Sequence, residues 1–156
     1  MKAFRFTLEA VRTIRQRQEN EALEFYARAL RARQNALDAL DAVHHLIVND
    51  FARMRQLLAG GCAAAQAAQA QNYHRSLERM REDAATALEQ AERRVNAASQ
   101  AMLTARQQRE IVDVYREKQN AAYQRAELRE EQKTMDEFAS RRMSALHSPQ
   151  THASHD

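Results

Sequence analysis

The residues able to do chemistry in this chain are its histidines, its lone cysteine and its carboxylates, and their spacing gives them little to do together. His44 and His45 are neighbours, so on a helix they point to different faces and cannot hold one ion between them. His147, His152 and His155 crowd the C-terminal tail, where they read as solvated side chains rather than a metal site. Cys62 is the single cysteine; it cannot form an internal disulfide, which fits a reducing cytosol. Its reading is a small helix-compatible residue beside a turn. Gly60 and Gly61 are the only glycines, and no Lys-Ser/Thr follows them, so no phosphate-cradling loop exists. The 21 acidic residues lie scattered among 24 basic ones, the pattern of a solvated helix face. These residues predict no catalytic constellation, no cofactor and no metal site. The protein is expected not to be an enzyme.

The elements that carry these side chains explain why. The chain has 156 residues with 2 Gly, 1 Pro and no Trp, and 29% are charged. Ala, Leu, Gln, Arg and Glu dominate, a composition typical of long helices or a coiled coil. So few breakers leave few places for a turn, which excludes a bundle of several short helices. Mean hydropathy is −0.75, and much of the apolar share is alanine. Such a chain makes a thin seam, not a thick core. No apolar run is long enough to span a membrane, and MKAFRFTLEA lacks the apolar core of a signal peptide. The formal charge of +3 is concentrated in the first twenty or so residues. A basic tip of that kind favours an acidic protein surface over nucleic acid, which needs a sustained basic face.

From Leu23 onward apolar residues recur every seven positions. One series is Leu23, Leu30, Leu37, His44, Phe51 and Leu58, and the other is Tyr26, Arg33, Leu40, Ile47 and Met54. A seven-residue repeat sustained this long predicts a supercoiled helix. Upstream, Leu8, Val11, Ala22, Phe25 and Ala29 form a seam shifted by one residue, which predicts a change of register near Glu19 to Ala22. Thr7 is the expected helix cap. Gly60 and Gly61 stop the first helix. The Ala- and Gln-rich segment that follows reads equally as helix, frayed helix or loose turn. A second repeat then runs Leu77, Ala84, Ala91, Ala98, Ala105 and Val112, with Leu88, Val95 and Met102 between. Arg109 and Arg116 interrupt it and read as residues that snorkel and pin the register. Large residues on one helix facing alanines on the other suit an antiparallel pair.

The expected fold is therefore all-α: a long two-helix antiparallel coiled-coil hairpin with an overhanging C-terminal helix. It places helix one at about residues 7–58, a turn at about 59–72 and helix two at about 73–145. Residues 1–146 form one coiled-coil hairpin, and 147–156, containing Pro149, form a disordered tail. Helix one is about 75–80 Å long at 1.5 Å per residue. Folding back at the glycine pair sets Met1 opposite the Asn120 to Glu130 region. The segment beyond has no partner in its own chain, and a single helix of that kind is marginal alone in water. It needs something else to pack on.

That segment is EEQKTMDEFASRR, Glu130 to Arg142. It resembles the C-terminal signature of the FliJ family, small cytosolic stalk proteins of flagellar type III export. The matching pieces are Glu131, Gln132 and Lys133, then Met135, Asp136, Glu137, Phe138 and Ala139, followed by Arg141. At the start, Phe4, Phe6, Leu8, Val11 and Arg15 resemble the family's F-x-F-x-L-x-x-V-L-x-x-R opening, with Arg12 standing where an apolar residue is commoner. The resemblance implies an antiparallel coiled coil similar to the central stalk of rotary ATPases. It implies that the end bearing both termini enters the pore of a hexameric export ATPase, through Phe4, Phe6, Leu8, Val11, Gln132, Lys133, Asp136, Glu137 and Arg141. It further implies contact with the cytosolic linker of the export gate nearer the turn, around Leu40, His44, Ile47, Phe51, Tyr73, Leu77 and Met80, and handling of export chaperones. The place implied is the cytoplasm, peripheral to the inner membrane at the flagellar base, without insertion into it and without nucleic acid. The chain would be a monomer or weakly self-associating. Two other readings stay open: an export chaperone or escort without a stalk role, and a coiled-coil scaffold that dimerises through the overhang.

Overall fold

The computed structural model describes residues 4–146; the expected tail, 147–156, lies outside them. Two helices account for nearly all of it: α1, Glu9–Ala59, and α2, Ala64–Leu146. No strand occurs among the described residues. The fold is all-α, two long helices packed antiparallel as a hairpin.

Helix α1 begins one residue later than a Thr7 cap would allow. The Leu8 carbonyl accepts from the Arg12 N–H at 2.9 Å, which makes Leu8 the capping residue. Glu9 then sits in the first turn, where the helix dipole favours a negative charge. At the other end the Gly60 N–H donates to the Gln56 carbonyl at 3.0 Å, and the Gly61 N–H to Leu58 at 3.4 Å. Gly61 has φ 73°, the left-handed conformation that ends many helices and suits a residue without a β-carbon.

The turn is far shorter than the 59–72 expected. Only residues 60–63 separate the helices, and α2 starts at Ala64, well ahead of Tyr73. The reason is local. The Ala63 N–H donates to Gln66 Oε1 at 3.1 Å, while the Ala63 carbonyl accepts from Gln66 and Ala67. This is half of a capping box. Alanine and glutamine are also strong helix formers that need no charge to continue the helix.

Contacts divide the chain into two units. One joins the N-terminal segment through Thr13 to α2 from Glu110 onward, and the other is Ile14–Arg109.

In the Ile14–Arg109 unit the α2 seam follows the expected frame. Ala70, Leu77, Ala91 and Ala98 are buried, and Ala84, Leu88, Val95, Met102 and Ala105 are half-buried between them. The α1 seam needs a correction. Tyr26, Arg33, Leu40, Ile47 and Met54 face inward as expected, but the companion row is Ala22, Ala29, Ala36, Val43, Asp50 and Leu57. Of the row Leu23, Leu30, Leu37, His44, Phe51 and Leu58, only Leu37 is half-buried; the rest are exposed. Alanines on both helices let the backbones approach, and the neighbouring leucines are left flanking the seam instead of filling it. The register change expected near Glu19 to Ala22 is also absent. Arg15, Glu19, Ala22 and Tyr26 are all half-buried and continue a single frame. Charged residues hold seam positions there: Arg109 Nε donates to Glu19 Oε2, and Arg15 Nη1 donates to Gln108 Oε1 at 2.6 Å. The large apolar core is one cluster, Val43, Ile47 and Leu77. Leu77, 2% exposed, contributes about 1.5–3 kcal/mol by removal from water.

Candidate functional site

Within the unit that carries both ends of the chain, the N-terminal segment is held to α2 by aromatic pairs. The Phe4 and Tyr123 ring centroids lie 5.7 Å apart at 53°, and those of Phe6 and Tyr115 6.2 Å apart at 55°. Tilted rings at these separations lie within the centroid range of favourable aromatic pairs. Arg12 follows at a seam position. Its Nε donates to Asp113 Oδ1 at 2.8 Å and its Nη1 to Glu9 Oε1 at 3.1 Å. Those bonds, Asp113's first, hold the guanidinium charged and push its pKa up. Arg116 lies 3.8 Å from the other Glu9 oxygen. The arginine that stands where an apolar residue was expected is thus part of an ionic latch between helices. The Tyr123 phenol is pushed up, by burial first and then by Glu127, whose carboxylate accepts its hydroxyl at 3.4 Å.

Beyond Tyr123 the seam frame of α2 changes character. Ala126 is followed at seam spacing by Glu130, Lys133 and Glu137, with Lys133 Nζ donating to Glu130 Oε1 at 3.0 Å. Every residue from Leu128 to Met143 is exposed. The large apolar side chains of this stretch, Leu128, Met135, Phe138 and Met143, are 64%, 73%, 70% and 68% exposed, with Leu128 and Met135 on the reverse side of the helix.

The residues expected at a pore-facing end are therefore in one unit but not in one patch. Phe4 and Phe6 are half-buried against tyrosines of α2; Leu8 and Val11 are exposed at the margin. Gln132, Lys133, Asp136, Glu137 and Arg141 are exposed on the C-terminal stretch of α2. Gln132 lies about 13 Å along the helix from Tyr123, the residue that Phe4 packs against.

The residues expected nearer the turn divide three ways. Ile47 and Leu77 are buried and Leu40 half-buried in the seam, so packing already occupies them and they cannot form an outward surface. His44 and Phe51 are exposed on one flank, the Phe51 ring 4.9 Å from that of His74. Tyr73 and Met80 are exposed on the opposite flank, with the Arg53 guanidinium 4.7 Å over the Tyr73 ring. These seven residues do not make one face.

Sequence reasoning missed a polar cluster at this level. The Asp50 side chain has no solvent exposure, yet it is paired twice. Its Oδ1 accepts from Arg53 Nη2 at 2.9 Å, and its Oδ2 lies 3.0 Å from His74 Nδ1. His74 Nε2 is 3.9 Å from Glu78, which pairs with Arg81 at 2.8 Å. The signal was available: Asp50 follows Val43 by seven, as His74 follows Ala67. Among the described residues no group of three His, Cys, Asp or Glu could hold a metal ion, and no helix is long and apolar enough to cross a membrane.

A family model described as the flagellar FliJ protein matches residues 4–146. No curated protein matches. Among solved structures, a putative YscO homolog from Chlamydia trachomatis is similar at 17% identity, covering 94% of this chain and 100% of that one, with a TM-score of 0.49.

Proposed function

The chain belongs to the flagellar FliJ family of export-related proteins, and from that premise we propose that it is a non-catalytic stalk coupling a hexameric export ATPase to the export gate. The observation that carries this reading is the stretch of α2 from Leu128 to Met143, every residue of which is exposed. Its charges are mixed: Glu131, Asp136 and Glu137 beside Lys133, Arg141 and Arg142. A plug in a symmetric ring needs contacts that form and break in turn, and exposed mixed charges supply weak, screened ones. In this reading Gln132, Lys133, Asp136, Glu137 and Arg141 touch the pore, with Leu8 and Val11 at its mouth. Phe4 and Phe6 brace the N-terminal segment against α2. The gate linker meets one flank near the turn, either His44 with Phe51 or Tyr73 with Met80, and export chaperones are handled along the same helices. The protein then works in the cytoplasm at the flagellar base.

The test is to mix the full-length protein with its cognate export ATPase and measure ATP turnover. Stimulation is expected, and deleting residues 130–146 should abolish it. Equal stimulation by the deleted form would remove the pore assignment.

A further inference from the structure

We propose that residues 4–13 form a strap closed over α2 by charge, which lifts reversibly as ionic strength rises while the core beside the turn stays packed. No described side chain of the unit that carries the chain ends is buried. In the Ile14–Arg109 unit, by contrast, Val43, Ile47 and Leu77 are. Residues 4–6 have no regular structure, residues 7 and 8 form a turn, and α1 starts only at Glu9. Leu8 and Val11 are each 38% exposed, so the apolar side chains of this first turn do little to hold it down. Two aromatic rings and a set of charges cross to α2.

The charges alternate in sign. Glu9 and Arg12 stand three apart on α1, and Asp113 and Arg116 three apart on α2, so each helix shows one charge of each sign on one face. Antiparallel packing sets opposite signs against each other. Arg12 Nε donates to Asp113 Oδ1 at 2.8 Å, Arg12 Nη1 donates to Glu9 Oε1 at 3.1 Å, and Arg116 Nε lies 3.8 Å from Glu9 Oε2. All four side chains reach solvent, Asp113 least at 26% and Glu9 most at 53%. Dissolved salt therefore weakens every link. An apolar residue in place of Arg12 would hold the same turn without that dependence.

The surface under the strap is built without it. Tyr115 Oη accepts from Gln119 Nε2 at 2.9 Å, and Tyr123 Oη donates to Glu127 Oε1 at 3.4 Å. Both bonds lie within α2 and do not depend on Phe4 or Phe6, so the strap has a formed socket to return to. Lifting it bares Phe4 and Phe6, half-buried in the closed form, and offers a partner aromatic faces that the closed chain pairs with one another.

The test uses the full chain in a Cys62→Ser background, with nitroxide labels at Thr7→Cys and Ala122→Cys, both exposed and uncharged positions. Pulsed electron paramagnetic resonance reads the open-to-closed ratio, which should rise by roughly threefold or more between about 0.01 and 1 M sodium chloride. Amide exchange at Ile47 and Leu77 should not accelerate over the same range. Arg12→Glu sets a further carboxylate beside Asp113 and Glu9 and should open the strap at low salt; adding Asp113→Arg should close it again. Arg12→Leu with Asp113→Leu should keep it closed at every salt concentration. Slow exchange at Ile47 and Leu77 reports that each variant is folded. A ratio in the parent that does not move with salt, or moves only in step with exchange at Ile47 and Leu77, would overturn the proposal. So would an Arg12→Glu chain as closed as its parent, a charge-swapped pair that stays open, or a leucine pair as salt-sensitive as the parent.

Discussion

The Asp50–His74 pair gives a quantitative test of how this seam holds together. Replacing His74 with Leu removes one of two partners from a carboxylate with no solvent exposure. Stranding a fully buried charge costs about 3–5 kcal/mol. Here Arg53 remains at 2.9 Å, so the loss is closer to that of one unsatisfied buried hydrogen bond, about 2 kcal/mol. Replacing Asp50 with Leu is a different perturbation. Arg53 is 59% exposed and His74 23% exposed, so both can turn to water, and the new leucine extends the row from Val43 to Leu57. The cost should stay within about 1 kcal/mol of zero. The double variant strands nothing and should resemble Asp50→Leu. Urea unfolding followed by far-ultraviolet circular dichroism measures all four proteins. The order expected is parent, Asp50→Leu and the double variant close together, with His74→Leu clearly below them. If His74→Leu unfolds no earlier than Asp50→Leu, or the double variant does not recover stability, the buried carboxylate is not what His74 satisfies.

Other perturbations separate the seam from its flanks. Leu77→Ala should cost about 2–5 kcal/mol in the same unfolding assay, whereas Leu30→Ala, at 38% exposure, should cost under about 1 kcal/mol; equal losses would restore the leucine row to the seam. Gly61→Ala forces a β-carbon into the left-handed region at φ 73° and should destabilise by about 1 kcal/mol. Gly60→Ala meets only ordinary contact, 3.5 Å from the Gln56 carbonyl, and should be tolerated; the comparison of the two midpoints checks the turn. Removing residues 130–156 should lower the helical signal but leave the unfolding midpoint nearly unchanged, because the described side chains from Leu128 onward are all exposed; a large drop in midpoint would show packing there.

The helices, the glycine turn and the exposed C-terminal stretch of α2 were legible because each leaves a strong mark. Breakers are almost absent, the glycines are adjacent, and counting back from them shows where helix one runs out. The α2 frame was legible too, since Leu77, Leu88, Val95 and Met102 leave no competing row. On α1 two rows one residue apart compete. Leucines carry more apolar surface than alanines, but close packing of the backbones favours the alanines. Asp50, Arg15 and Glu19 were passed over because a charge in a seam position looks like an interruption until its partner across the pair is known. The same gap explains the residues expected near the turn. Period alone does not tell a side chain in the seam, such as Leu77, from one beside it, such as Met80.

The uneven distribution of bulk along the seam sets how the hairpin breathes. In the Ile14–Arg109 unit the large buried side chains, Val43, Ile47 and Leu77, sit together toward the turn, while Ala29, Ala91 and Ala98 continue the contact away from it. Each alanine contributes little cohesion, so opening is easiest far from the turn and hardest beside Leu77. Amide protons of Ile47 and Leu77 should exchange with solvent last, and those near Ile14 and Arg109 much sooner. The two helices of this unit are therefore held more firmly beside the turn than away from it.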